Sequence, residues 1–165
     1  MKMTSAMAAK ELKKMNEQHD ALLARESKSA EFVAAIQEDI ESVRPEYDYA
    51  AVQEALSELE GRIRTLKHAI NRFNLTQTVP GFEMTIDQLL IYIPQLSARK
   101  RKLEEMRSRL PRERSVSVGN AGIIEYTYAN YDVKAAERDY DQVTDELSRA
   151  QNALDLVNST VEFDV

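Results

Sequence analysis

The sequence predicts an all-α protein, a coiled-coil-rich bundle of about four long helices with one small β-hairpin that a C-terminal strand could join. Two observations carry this reading. Apolar residues recur in alternating steps of three and four over long stretches, the spacing of one helix face. The stretch "SVSVGNAGIIEYTY", about residues 115–128, breaks that rhythm and reads as two short strands around a glycine-rich loop. A chain of 165 residues with 43% hydrophobic content suits one elongated helical domain spanning 1–165.

The first helix is expected over about 4–43, where Leu12, Met15, Leu22, Val33, Ile36, Ile40 and Val43 keep the register. His19, Glu26 and Ser29 fall on seam positions, so a break or bend is expected near "RESKS". Pro45 then turns the chain, because it disfavours helical geometry at Arg44 and has no amide hydrogen. The second helix, about 48–74, starts at Asp48 as N-cap and runs through Tyr49, Val52, Leu56, Leu59, Ile63, Leu66, Ile70 and Phe73 without a miss. So narrow an apolar stripe needs partner helices, which makes Leu59, Ile63, Leu66, Ile70 and Phe73 candidate interface residues. Asn74, followed by Pro80 and Gly81, ends it.

Thr85 and Gln88 have capping-box spacing and open a third helix over about 85–110, with Pro94 inside it as the place for a kink. The fourth, about 132–158, runs from Asp132 through Ala136, Tyr140, Val143, Leu147, Ala150, Leu154 and Val157. An isolated two-stranded hairpin is marginal in water and leaves open edges. Either the tail "VEFDV" completes a three-stranded sheet with it, or hairpins from several chains pair edge to edge. Ile123, Ile124, Tyr126 and Tyr128 therefore join the candidate partner interface.

A heptad helix ending "HAINRFN", a linker, "MTIDQLL" opening the next helix, a strand segment before "YDV" and a last helix ending "DLVNSTVEFDV" together resemble the septicolysin-like family of small bacterial proteins, over about residues 48–165. That resemblance implies a mostly helical, oligomeric protein with a small β element, and it carries no reaction with it.

The chain's chemistry points the same way. There is no cysteine, so disulfides, zinc fingers and thiol nucleophiles are out, and the cytoplasm is the expected compartment. The N-terminus lacks the apolar core of a signal peptide and no apolar run approaches a membrane span. A helical di-iron site needs Glu-x-x-His pairs, but Asn16 and Thr65 stand three residues before His19 and His68. No nucleophile elbow or phosphate-cradling glycine loop is present, so neither an enzyme nor a cofactor is expected.

One charge feature stands out. "RKRKLEEMRSRLPRER" sets eight cations, among them Arg99, Lys100, Arg101, Lys102, Arg107 and Arg109, against Glu104, Glu105 and Glu113. This local +5 leaves -11 for the remainder of a chain of net charge -6. Such a run could neutralise nucleic-acid phosphates, but a solvated face, or one paired with acidic stretches such as "EDIES" of another helix or chain, is the favoured reading. The sequence thus predicts a self-associating scaffold whose partner is another copy of itself. Nucleic-acid association through 99–114 and a prefoldin-like holdase role are the alternatives.

Overall fold

A computed structural model describes residues 1–115 and 124–165, and helices dominate them as the heptad spacing predicts. In chain order the elements are β1 (Lys2–Thr4), α1 (Ser5–Ser29), α2 (Ile40–Val43), α3 (Tyr49–Thr76), β2 (Thr78–Val79), β3 (Met84–Thr85), α4 (Ile86–Arg107), β4 (Arg112–Arg114), β5 (Tyr126–Tyr128), α5 (Val133–Thr160) and β6 (Glu162–Asp164). They group into two compact units, Met1–Asn74 with Asn158–Val165, and Leu75–Val157.

In the first unit Thr4 caps α1, its hydroxyl accepting from the Met7 amide at 3.3 Å. α1 and α3 lie antiparallel: Arg62 faces Glu11 at 3.8 Å, His19 meets Glu60 at 3.2 Å and the Gln53 amide donates to Glu26 at 2.7 Å. Along this pair α1 buries Ala8 and Met15, while α3 buries Leu56, Leu59, Leu66, Ala69 and Phe73. Asp48 starts α3 as expected, its carboxylate accepting from the Ala51 amide at 3.1 Å.

The break expected near "RESKS" is present, and the helix expected over about 4–43 does not resume as a long helix after it. α1 ends at Ser29, residues 30–39 are non-helical, and α2 is a single turn capped by Asp39. Of the register residues beyond the break, Val33 is 94% and Ile36 106% exposed, Ile40 is open and Val43 is half-buried. A helix without a packed face does not sustain itself, and periodicity alone does not supply the neighbour. Arg44, ahead of Pro45, is extended with ψ 121 as the proline requires.

The tail does not complete a three-stranded sheet with the hairpin, the first of the two alternatives. β6 runs antiparallel to β1, in the register Lys2↔Asp164, Met3↔Phe163 and Thr4↔Glu162, and not beside the 112–128 hairpin. Met3 and Phe163 are buried while Lys2, Glu162 and Asp164 are exposed, and the Phe163 ring stacks on Phe73 at 4.5 Å and 19°. The apolar surface offered by Phe73 selects this partner strand.

The second unit is built on α4 and α5, also antiparallel, with Tyr92 donating to Glu146, Lys100 near Tyr140 and the Tyr131 hydroxyl donating to the Met106 carbonyl. The capping box at Thr85 and Gln88 is present in both directions. α4 continues through Pro94 and buries Ile86, Leu89, Leu96 and Leu103, and α5 buries a stripe that includes Ala136 and Ala150. Ahead of α4 the linker forms a tight β2–β3 hairpin that the sequence reading treats only as a helix stop. Pro80 and Gly81 occupy its two central turn positions, Gly81 at φ 84, and the Phe82 amide closes on the Val79 carbonyl at 3.3 Å.

The hairpin expected near 115–128 is an antiparallel pair whose described ladder includes Arg112–Arg114 ahead of that range. Arg112↔Tyr128, Glu113↔Thr127 and Arg114↔Tyr126 form its ladder, extended by the Ser115 amide to the Glu125 carbonyl at 2.9 Å. Residues 116–123, which hold most of the expected strand "SVSV", the loop "GNAG" and Ile123, lie outside the described residues.

Two substitutions in the second unit test this packing. Leu89 is 0% exposed, so Leu89→Ala is expected to cost about 2–5 kcal/mol in urea denaturation. Thr85→Ala, which removes the cap and leaves the core intact, is expected to cost about 1 kcal/mol. Equal losses from the two would contradict the burial assigned to Leu89.

Candidate interaction surfaces

The basic run divides into two populations once α4, β4 and β5 place it. On the side of α4 facing α5, the Arg107 guanidinium lies 3.8 Å from the centroid of the Tyr140 ring, with the Lys100 ammonium 5.6 Å from the same ring. Arg107 also donates to Glu104 at 3.0 Å. That hydrogen bond, with a second from Tyr140, holds the Glu104 carboxyl below the usual carboxylate range. Arg112 lies 4.9 Å from the Tyr126 ring. Arg99, Arg101, Lys102 and Arg109 are exposed. Part of the +5 therefore packs on tyrosines and the remainder faces solvent, where it can meet carboxylates or phosphates.

The hairpin's outer residues adjoin this region in sequence and are open. Ile124 is 62% exposed, and Tyr126 and Tyr128 stand with ring centroids 6.4 Å apart. The α3 seam is more divided than its regular spacing suggests. Leu59, Leu66 and Phe73 are buried, whereas Ile63 and Ile70 are half-buried at the edge of the helix pair.

In the first unit an open groove follows α1 and α3. Near the strands it encloses about 390 Å³ walled by Met1, Met3, Met15 and Leu66, with Glu11 and Arg62 at the rim. Farther along, Leu22, Ala55 and Leu59 line about 480 Å³, and both hollows share Glu58 and Arg62. Beyond the end of α1 lies the uncovered apolar segment 30–39. Sequence reading places Val33 and Ile36 inside a helix seam and so misses this surface. "EFVAAI" between serines and acids is the signal that marks it.

Among the described residues no three His, Asp or Glu side chains group as metal ligands would, and no helix is long and apolar enough to cross a membrane. No family model matches the chain. No curated protein is similar to it. Its fold is similar to that of a functionally unknown conserved protein from Corynebacterium diphtheriae, solved by crystallography. The TM-score is 0.59 and the identity 18%, over 99% of this chain and 100% of that one.

Two buried-edge tyrosines tie helices to carboxylates, one in each unit. Tyr47 donates to Glu26 at 2.8 Å, and Tyr92 donates to Glu146. Each hydrogen bond holds the phenol proton, so Tyr92 is raised above its ordinary value and Tyr47 is pushed up to about 12. Raised phenol values stabilise the protonated fold. The Tyr47 contribution is therefore complete below pH 10 and is lost as pH climbs toward 12. In an ultraviolet titration of tyrosinate, Tyr47→Phe is expected to remove a step near pH 12 that Tyr92→Phe retains. A late step surviving Tyr47→Phe unchanged would overturn the assignment.

Proposed function

We propose that this protein is a self-associating structural or interaction module without catalytic activity. The observation that supports this reading is the amount of large apolar surface left uncovered by the chain itself, at Val33, Ile36 and Ile40 in the first unit and at Leu90, Ile91, Leu110 and Ile124 in the second. Surface of that kind marks an interaction site or an aggregation liability, and the net charge of -6 works against indiscriminate aggregation. Kinship with the septicolysin-like proteins belongs to the same proposal, supported by the "HAINRFN" and "MTIDQLL" stretches, which fall on the end of α3 and the start of α4. We place the module in the cytoplasm, since a chain without cysteine has no need of an oxidising compartment.

A second reading, association with nucleic acid through the basic run, is supported by the exposure of Arg99, Arg101, Lys102 and Arg109. It is weakened by the engagement of Lys100 and Arg107 with Tyr140. Binding of this kind would fall steeply with salt and vanish when residues 99–102 are neutralised.

Light scattering on a sizing column tests the first reading. The expected result is a discrete species heavier than the 18.8 kDa chain, and a monomer at every concentration sinks it.

A further inference from the structure

Segment 30–41 carries the most exposed large apolar side chains of the first unit: Val33 at 94% and Ile36 at 106%, with Phe32 and Ile40 also open. The same segment carries Glu31, Glu38, Asp39 and Glu41. Apolar groups set among carboxylates select a partner that is apolar and basic together. Two such segments cannot serve each other, because face to face they would bring Glu38 and Asp39 against their own kind. A polyanion is repelled for the same reason.

The complement is present on α4. Leu90 and Ile91 are 48% and 58% exposed, on the side of the helix away from buried Leu89, Leu96 and Leu103. About three turns farther along the same face stand exposed Arg101 and Lys102. Glu38 and Asp39 follow Val33 and Ile36 in the segment, as Arg101 and Lys102 follow Leu90 and Ile91 on α4, and these two pairs are opposite in charge, although Asp87 and Glu105 also stand on the outer face of α4. We propose that segment 30–41 of one copy docks on the outer face of α4 of a second copy, Val33 and Ile36 covering Leu90 and Ile91, Glu38 and Asp39 facing Arg101 and Lys102. This inference rests on the self-association reading and assigns it a surface. Because the two surfaces are unlike, copies join head to tail, which yields a closed ring or a growing filament unless a pair of copies exchanges both contacts.

Charge reversal on the full-length chain is the test, read by light scattering and by the concentration at which the assembly dissociates. All four charged positions are exposed, so the long helices and their circular dichroism are expected to persist, while Asp39→Lys also removes the α2 cap and Glu38→Lys the hydrogen bond from the Ala35 amide, which makes recovery in the combined variant the decisive reading. Glu38→Lys with Asp39→Lys is expected to weaken assembly about tenfold or more, and Arg101→Glu with Lys102→Glu to do the same. Combining all four restores opposite charges across the contact and is expected to recover the wild-type mass. Assembly indifferent to both single-surface reversals, or weakened by each and not recovered in combination, overturns the docking while leaving self-association standing. A wild-type monomer overturns both. A monomer that retards duplex DNA at low salt, and ceases to when Arg101 and Lys102 are reversed, assigns that face to nucleic acid instead.

Discussion

The ring of Phe163 against that of Phe73 makes the end of the chain part of its first unit. Without it, β1 and β6 would be two three-residue strands, each too short to hold a partner by backbone hydrogen bonds alone. With it, Met3 and Phe163 share one buried side, the charged residues between them turn outward, and the strand register has a single solution. The Arg72 guanidinium donating to the Asp164 carbonyl at 3.2 Å adds a polar contact beside the stacked rings. Closing so long a stretch of chain has an entropic cost that grows only slowly with length, so a compact aromatic contact suffices to offset it. Such a non-local pairing also belongs late in folding, after the helix pairs it rests on.

Within each unit the helix pairs follow one rule. A narrow apolar stripe is buried, and polar side chains along its edges fix the direction of the pair. Glu26 receives both Tyr47 and Gln53, and Glu146 receives Tyr92, so the edges are specified by hydrogen bonds as well as by area. Exposed ion pairs such as Lys13 with Glu17 add little by comparison.

Much of this was legible in the residues because it is local. Asp48, Thr85 and Asp132 mark helix starts through side chains that reach the next turn, and heptad positions such as Leu59, Leu66, Leu96 and Leu147 are buried where their spacing puts them. What was not legible depends on neighbours. Val33 and Ile36 continue the helical register but stay exposed among the described residues, and that is a property of the fold and not of the segment. The strand at Lys2–Thr4 is three residues long and acquires its identity from a partner at the other end of the sequence. The turn at Pro80 and Gly81 was visible as a stop, yet two flanking residues on each side are too few to read as strands. Among the basic residues, the division between Lys100 and Arg107 on one side and Arg101 and Lys102 on the other follows from where Tyr140 stands on α5.

The groove beside α1 has a chemical consequence of its own. In a chain without cysteine the oxidisable sulfur is methionine sulfur, and three of its six methionines, Met1, Met3 and Met15, wall that one hollow. Peroxide would reach Met1 and Met7 first, at 78% and 55% exposed, and the inner pair, Met3 and Met15, only when the β1–β6 strands open. A sulfoxide on Met3 would set a polar, chiral group opposite Phe163 and loosen the joined strands, whereas the second unit offers the half-buried Met84 and Met106 to the same oxidant.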